Sequence, residues 1–271
     1  MRTHITNKKI EETDIVQSVD RALQILSVFE SDYQELSIQQ FSEILDLPKS
    51  TIHRLLTTLV HRGFMEQDSE SRNYRLGVKL YALGTKVIAA RAINSEAAPV
   101  LRKLIEECGE TASVSVLDET ETVIIEKMET NQSIRVISQI GKRNPIHCTG
   151  SGKVVLAYLN PEAVDKILKR VSPLKRYTGK TITDPVKLKE NIAEIRSRGY
   201  ALDDEELVDD QFCISAPVRN SKGEVFAAIT VSGPLYRIKA KDPDKIGACV
   251  VRAADELSRR LGWMGGMATN I

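Results

Sequence analysis

Residues 36–62 are LSIQQFSEILDLPKSTIHRLLTTLVHR. Ser37 can cap a helix here, because the apolar residues that follow it recur at helical spacing. This helix should end before Pro48, since the residue preceding a proline is pushed out of helical geometry. Pro48 itself suits the first turn of a second helix, where its missing N–H costs nothing. The stretch therefore predicts two helices joined by a tight turn, and the first domain is built around them.

The second helix should turn its leucine and isoleucine side chains inward and expose a polar face. Residues 64–67 and 74–76 then predict the two strands of a hairpin, with Arg72 in the turn between them. Two helices followed by a hairpin are typical of a winged helix-turn-helix, which places its second helix in the major groove of DNA. The residues expected to contact DNA are Lys49, Ser50, Thr51, His53, Arg54, Thr57 and Arg72.

Charge supports DNA binding only around the second helix. Residues 47–64 contain three Lys or Arg and no carboxylate, whereas residues 1–91 hold 12 Lys+Arg against 12 Asp+Glu. A concentrated basic face is what contact with phosphate needs. The alternative is an ordinary helical hairpin with solvated side chains. The order of helix, turn, helix and wing favours double-stranded promoter DNA as the partner.

The composition is that of an ordinary globular protein. The 271 residues suffice for two domains, 42% of them are hydrophobic, 28% are charged, and the net charge is +1. No two of the four cysteines have the spacing of metal ligands, and four thiols suggest a reducing compartment. The polar N-terminus lacks the apolar core of a signal peptide, and no apolar run approaches the length of a membrane span. We therefore expect a cytoplasmic protein with no metal and no membrane partner.

The sequence divides into five segments. Residues 1–14 are polar and predict a disordered arm, and residues 15–76 predict the winged helix-turn-helix domain. Residues 77–93 predict a linker helix, residues 94–264 a second domain, and residues 265–271 a tail. In the first domain, Ser18 should cap a supporting helix that packs one apolar face on the other two helices. That face comprises Val19, Ala22, Leu23, Ile25, Leu26 and Phe29.

The second domain alternates strands and helices. Period-two patterns predict strands over residues 112–117, 122–128, 133–140, 200–203, 213–219 and 225–232. Helical patterns cover residues 96–108, 154–159, 161–170, 185–198 and 242–261. Because neighbouring strands are linked by short turns and helices lie outside these pairs, the fold class should be α+β with an antiparallel sheet.

Four blocks of sequence resemble the isocitrate lyase regulator family of bacterial transcription factors. They are STIHRLL at residues 50–56, HCTGSGK at 147–153, GYALDDEE at 199–206 and FAAITVSGP at 226–234. The resemblance covers nearly all of the chain from Gln17 to Leu261. It implies a winged helix, a linker helix and a C-terminal GAF-like effector domain, assembled as dimers or dimers of dimers. It also implies that a small metabolite, often an organic or aromatic acid, controls promoter binding.

The glycine-containing turn at residues 149–153 can be interpreted in two ways. Backbone N–H groups at a helix start bind carboxylates well, whereas a structural N-cap with permissive glycines needs no ligand. The family resemblance favours the first, because it implies ligand contacts at Gly150 and Ser151, beside Thr149. A nucleotide-binding P-loop is excluded, because His147 stands where that motif needs Gly and Val154 where it needs Ser or Thr.

Four further residues are expected in the effector site. By resemblance, Asp203 reaches into the pocket and Cys213 belongs to it, while alternation places Thr230 and Ser232 on one face of their strand. Buried hydroxyls without partners are costly, so a polar ligand or waters should satisfy them, unless they bond the neighbouring backbone. As a carboxylate, Asp203 only accepts hydrogen bonds, so the ligand should carry a hydroxyl or oxo group besides its carboxylate. The remaining acids of residues 203–210 suit either a solvated loop or a cation site, although no histidine lies near.

A catalytic site is the contrasting interpretation. Cys148 or Cys213 with His147 could form a nucleophile and base, and Ser151 could be a nucleophile. No third, orienting group is recognisably spaced, and Ser151 lacks the flanking pattern of a nucleophile elbow. We therefore predict a protein without catalytic residues or cofactor.

The sequence predicts a ligand-responsive DNA-binding transcriptional regulator. We expect a repressor of catabolic genes, controlled by a small organic or sugar-derived acid, in preference to an activator of the same build or an enzyme. One winged helix is too small a contact for high specificity, so the protein should form a homodimer or homotetramer. Candidate dimer contacts on the linker helix are Leu80, Leu83 and Val87.

Overall fold

The computed structural model describes residues 15–31, 33–89 and 93–265. Two compact units divide after Val87. The predicted arm at residues 1–14, most of the predicted tail and residues 90–92 of the predicted linker helix lie outside the described residues. None of the helices in the described part is both long and apolar enough to cross a membrane.

The first unit contains the two helices and the hairpin that the sequence predicts. A supporting helix α1 (Gln17–Ser27) leads through a short 3-10 turn to α2 (Ile38–Leu45) and α3 (Lys49–His61). The wing consists of β1 (Met65–Gln67) and β2 (Tyr74–Leu76), which pair antiparallel. A bridge from Leu36 to Tyr74 ties the wing to the start of α2. Helix α4 (Val78–Ala89) follows the wing.

Local signals explain why α2 and α3 begin and end where they do. The Ser37 hydroxyl accepts a hydrogen bond from the Gln40 N–H, and the Gln40 side chain accepts one from the Ser37 N–H, which makes a capping box. Asp46 ends α2 in the left-handed region at φ 50°, and Pro48 caps the start of α3. Phe41, Ile52, Leu56 and other apolar residues of these helices fill the core of the unit.

Two expectations for α1 are wrong. The helix begins at Gln17, and no side chain caps it, so Ser18 is not its N-cap. Val19 and Leu23 belong to the predicted apolar face but are 55% and 57% exposed. They line a groove of about 670 Å³ between α1 and α3, because the contact between these helices closes only around Ile25.

The second unit is built on a six-stranded antiparallel sheet. Its strands are β3 (Thr111–Asp118), β4 (Glu121–Met128), β5 (Arg143–Pro145), β6 (Ala201–Asp204), β7 (Gln211–Arg219) and β8 (Val225–Pro234). They lie in the order β5-β4-β3-β8-β7-β6, so the longest strands β7 and β8 are interior. The fold is the α+β antiparallel class that the sequence predicts.

Helices cover both faces of this sheet. On one face, α5 (Ile93–Cys108) and α10 (Pro243–Arg260) pack on strand residues such as Val114, Ile229 and Val231. On the other, α6 (Gly150–Tyr158), α7 (Pro161–Arg170) and α8 (Pro185–Arg198) share a core with Ala201 and Ala228. Successive residues of β8 point to opposite faces, so Ala228 and Thr230 lie on the α6 side. A short helix, α9 (Leu235–Ala240), joins β8 to α10.

The strand predicted over Ser133–Ile140 is wrong, and α9 is not predicted. Ile134, Ile137 and Ile140 are all more than half exposed, and β5 instead pairs with residues 121–123 of β4. Gly141, at φ 89°, turns the chain so that its N–H bonds the Ile124 carbonyl. Side chains hold the segment in place of a strand ladder: Arg237 donates to the Ile134 carbonyl and Lys127 to the Ser138 carbonyl.

Candidate functional site

Helix α3 presents a basic polar face to solvent. Lys49, Ser50, His53, Arg54 and Thr57 are exposed, and Thr51 is half-buried. The Thr57 hydroxyl donates to the His53 carbonyl at 2.8 Å, so it is already occupied within the helix. The Arg54 side chain lines the groove between α1 and α3. The face therefore offers two full positive charges, one in the first turn of the helix and one in its second.

The wing turn is held by an aspartate. The Asp68 carboxylate accepts hydrogen bonds from the N–H groups of Glu70 and Ser71 at 3.0 and 2.8 Å, and these bonds lower its pKa. Arg72 follows in the left-handed region at φ 61° with an exposed side chain. The wing turn therefore presents the Arg72 side chain to solvent.

In the second unit, strand register brings the four strand residues of the predicted effector site together. Asp203 on β6 lies opposite Cys213 on β7, which lies opposite Ser232 on β8. Thr230, two residues earlier on β8, lies opposite Ser215 on β7. The four predicted side chains therefore occupy neighbouring positions on the α6 face of the sheet.

The first turn of α6 lies against this row and needs its glycines for packing. A Cβ on Gly150 would approach the Ser215 hydroxyl to 2.5 Å, and one on Gly152 would approach the Ile146 carbonyl oxygen to 2.2 Å. Thr149 is the N-cap: its hydroxyl accepts from the Gly152 N–H at 3.1 Å and donates to the Pro145 carbonyl at 2.8 Å. The glycines bring the helix start into direct contact with the sheet.

Together these elements enclose a small cavity of about 70 Å³. All seven residues predicted for the effector site line it: Thr149, Gly150, Ser151, Asp203, Cys213, Thr230 and Ser232. Further polar residues line it that the sequence analysis does not single out, namely Ser113, Ser115, Ser138, Lys142, Asn144 and Gln211. Strand alternation in β3 is the signal that could have found Ser113 and Ser115, because it puts both on one face of the sheet.

Two residues of the predicted site, Thr230 and Ser151, already have protein partners for their hydroxyls. The Thr230 and Ser215 hydroxyls are 2.7 Å apart, and those of Ser151 and Thr122 are 3.0 Å apart. The Cys213 thiol accepts a hydrogen bond from the Gln211 amide at 3.1 Å. Strand and helix neighbours supply these partners, so the hydroxyls alone do not call for a polar ligand.

Asp203 is the most deeply buried carboxyl group that lines the cavity, at 2% exposure. Its Oδ1 atom accepts a hydrogen bond from the Glu206 N–H at 2.8 Å. Burial raises the pKa of Asp203 to about 7, against the smaller opposing effect of that hydrogen bond. Near neutral pH this side chain therefore exists in both its charged and its neutral form.

A buried ion pair that the sequence analysis missed stands behind Asp203. Lys153 on α6 contacts Glu206 on the loop after β6, with residue exposures of 1% and 7%. The Glu206 carboxylate uses Oε1 for this pair, and its buried Oε2 has no hydrogen-bond partner in the part of the chain that the structure describes. Burial raises the pKa of Glu206, while Lys153 opposes that shift. The loop is also held by Thr181, which donates to the Glu206 carbonyl at 2.7 Å.

The other acids of residues 203–210 do not form a cation site in the part of the chain that the structure describes. Lys180 pairs with Asp204 and Glu205, and Lys239 also pairs with Asp204 at 3.2 Å. The run therefore contains two buried acids, Asp203 and Glu206, and two acids, Asp204 and Glu205, that pair with surface lysines.

The residues of the catalytic alternative do not form a nucleophile and base. His147 places Nε2 2.9 Å from the Lys175 carbonyl oxygen, and burial lowers its pKa. Burial raises the pKa of Cys148 and of Cys213 to about 12 in each case. A cysteine nucleophile needs the opposite shift, because the thiolate is the reactive form.

Comparison with known proteins gives one consistent result. Models of the IclR helix-turn-helix domain and of the C-terminal domain of bacterial IclR regulators match residues 18–69 and 85–259. The chain is 37% identical to the transcriptional repressor IclR of Escherichia coli over 254 residues, or 93% of this chain and 92% of that protein. An IclR-type regulator from a Silicibacter species superposes with a TM-score of 0.81 at 28% identity, covering 92% of this chain and 98% of that one. An IclR homologue from Microbacterium hydrocarbonoxydans, complexed with 4-hydroxybenzoate, shares the fold with a TM-score of 0.80 at 24% identity over 90% of this chain and 98% of its own.

Proposed function

The chain belongs to the IclR family of bacterial transcriptional regulators, and on that basis we propose that it is a promoter-binding repressor whose affinity for DNA is controlled by a small organic acid. The observation that carries the proposal is the combination, in one chain, of an exposed basic helix α3 and a small polar cavity in the second unit. The Escherichia coli relative is a repressor by name, and a repressor of catabolic genes is the role we assign. An activator of the same build is the second candidate.

Helix α3 is the element we assign to the major groove. Arg54 can form a bidentate hydrogen bond with guanine, while Lys49 in the first turn suits a phosphate. The exposed Arg72 of the wing suits a second phosphate contact beside the groove. Ser50, Thr51, His53 and Thr57 complete the proposed DNA-binding face.

Two recognition helices are needed for a specific site, so we propose that the protein acts as a homodimer or homotetramer. On α4, Leu83 is 43% exposed, which suits a contact between copies, and Leu80 is half-buried. Val87, the third candidate, lies beyond the residues whose side chains the structure describes. Sedimentation that gives a monomer at micromolar concentration, with and without DNA, would contradict this part of the proposal.

The cavity in the second unit is the site we assign to the acid. Its small volume, about 70 Å³, favours a short hydroxy- or oxo-acid over an aromatic one. The N–H groups of Gly150 and Ser151 in the first turn of α6 suit a carboxylate, because the first N–H groups of a helix lack partners within it. Lys142 at the cavity lining adds a positive charge.

A gel-shift titration tests the function. The full-length protein, with DNA from upstream of its own gene and of the adjacent genes, should shift one fragment with an affinity that falls steeply with salt. Addition of short 2-oxo- and 2-hydroxy-acids should then change that affinity. Equal binding to the upstream fragments and to unrelated DNA of the same length would exclude a specific regulator and would leave an enzyme as the remaining class.

A further inference from the structure

We propose that the cavity binds its acid together with one proton, which Asp203 holds, so that this residue donates a hydrogen bond to the ligand instead of accepting one. The inference rests on the proposed function, since it takes an organic acid as the ligand of this cavity. It reverses the role that the sequence alone suggests for Asp203.

The buried charges around Asp203 do not balance. Asp203 and Glu206 are two buried carboxyl groups, and Lys153 is the buried cation beside them. Lys153 pairs with Glu206 through Oε1, and among the described residues no cation forms an ion pair with Asp203. With all three groups ionised, one negative charge stays uncompensated. A buried, unpaired carboxylate is costly and takes up a proton instead.

The hydrogen bonds of the two carboxyl groups fix where a proton on Asp203 would lie. The Glu206 backbone N–H donates to Oδ1 of Asp203, so the proton of a neutral Asp203 belongs on Oδ2. Among the described residues, the Glu206 Oε2 atom is buried without a hydrogen-bond donor. One carboxylate oxygen beside Asp203 is therefore already unsatisfied before any ligand enters.

The ligand would bring a further negative charge into the cavity. An organic acid is ionised near neutral pH and would bring another carboxylate beside Asp203. Two carboxylates that share a site cannot both stay ionised, so one of the pair keeps a proton. The ligand carboxylate is stabilised by the α6 N–H groups and Lys142. Asp203 has neither of these contacts, so Asp203 is the group that holds the proton.

The titratable groups that face Asp203 are Glu206 from its own loop, Lys153 and Cys148 from the α6 side, Cys213 from β7 and Lys142 at the lining.

The proton is available at physiological pH. Burial raises the pKa of Asp203 to about 7, so a large share of the ligand-free protein already carries it. The thiols of Cys148 and Cys213 stay neutral over this range because burial raises the pKa of each to about 12. Glu206 remains tied to Lys153. With a pKa of about 7, Asp203 is a group whose charge changes between pH 6 and pH 8.

The test is titration calorimetry on the full-length protein with pyruvate, a short 2-oxo acid, and with 4-hydroxybenzoate. Wild type, Asp203→Asn and Asp204→Asn are compared at pH 6 and pH 8, each in two buffers of different ionisation enthalpy. Asparagine imitates a neutral Asp203 and can donate a hydrogen bond. Asp204 is the matched control, because it follows Asp203 directly in the chain but pairs with surface lysines.

For wild type we expect the dissociation constant to rise about tenfold from pH 6 to pH 8, because Asp203 has a pKa of about 7 in the ligand-free protein. Binding at pH 8 should then take up about one proton. Asp203→Asn should bind with nearly the same affinity at both pH values and take up no proton at Asp203. Asp204→Asn should behave like wild type. The buffer dependence of the wild-type heat tests the proton uptake without any substitution.

Three results would overturn the inference. Wild-type binding that does not depend on pH or buffer would show that Asp203 stays a carboxylate, and the proposed function would stand. If a folded Asp203→Asn protein loses binding at pH 6 while Asp204→Asn does not, the bound protein needs the Asp203 carboxylate, which also contradicts the inference. If neither acid binds wild type at millimolar concentration at pH 6, the assignment of the cavity to such acids fails and the inference fails with it, while the gel shift decides promoter binding separately.

Discussion

Lys153 in α6 and Glu206 in the loop after β6 form an ion pair inside the protein, although 53 positions separate them in the sequence. The first turn of α6 lines the cavity on one side, and Leu207 and Val208 of the loop line it on the other. The pair therefore holds two walls of the cavity together. Its loss should affect both the stability of the second unit and the shape of the cavity.

Breaking this pair should destabilise the second unit strongly. Lys153→Met leaves Glu206 buried and unpaired, so we expect the free energy of unfolding to fall by about 3–5 kcal/mol. The double variant Lys153→Met/Glu206→Leu should recover part of that loss, because no unpaired charge remains. Urea unfolding followed by the fluorescence of Trp263, the single tryptophan, reports on this unit.

Arg170→Met is the control for that experiment. It removes the ion pair between Arg170 and Glu119, whose side chains are 52% and 67% exposed. The free energy of unfolding should fall by less than about 1 kcal/mol. Equal losses for Lys153→Met and Arg170→Met would show that the buried pair contributes no more than a surface contact.

Two substitutions on α3 should affect DNA binding differently. Arg54→Ala should weaken binding to the promoter site by roughly 1–3 kcal/mol and relax specificity at one base pair, if the guanidinium contacts a guanine. Lys49→Ala should weaken all sequences alike and lower the salt slope by about one unit. Gel-shift titrations at several salt concentrations separate the two effects. Wild-type affinity in both variants would remove α3 from the DNA contact.

The pKa of Asp203 also predicts how stability depends on pH. The folded value of about 7 lies above the unfolded value of about 3.9, so the folded protein binds more protons between these values. Stability that comes from this residue is therefore present at low pH and lost as pH rises toward 7. Asp203→Asn has no such loss, so its stability relative to wild type should increase by roughly 1–3 kcal/mol from pH 5 to pH 8. Urea unfolding at both pH values measures the difference, and a constant difference would mean that Asp203 has an ordinary pKa.

Gly152 should tolerate no side chain. A Cβ there would lie 2.2 Å from the Ile146 carbonyl oxygen, which belongs to the backbone and cannot rotate away. We expect Gly152→Ala to cost about 1–3 kcal/mol in thermal unfolding, the typical cost of overpacking. Gly179→Ala, in the same unit with no atom within 4 Å of its Cβ position, should change stability by less than about 1 kcal/mol. Similar melting temperatures for the two variants would contradict this packing argument.

Local chemistry let the sequence predict the elements whose ends depend on near neighbours. The Ser37 capping box, the turn before Pro48 and the left-handed Gly199 after α8 each involve residues within a few positions of one another. The bounds of α7 and α8 agree with the sequence prediction for the same reason, since Asn160 and Asp184 cap them and a proline starts each. Among the residues that line the cavity, family resemblance led to Gly150, Ser151, Asp203 and Cys213, whereas strand alternation led to Thr230 and Ser232.

Tertiary structure alone decided which buried polar groups are paired. Residues 133–140 have an alternating pattern but form no strand, because a strand needs a partner edge and β4 pairs with residues 143–145 instead. Thr230 needs no ligand, because the register of β7 and β8 places Ser215 beside it. The pairing of Lys153 with Glu206, and the uncompensated charge it leaves on Asp203, depend on helix and loop meeting in space. Electrostatic energy depends on the distance between groups and their burial, and the order of residues along the chain specifies neither.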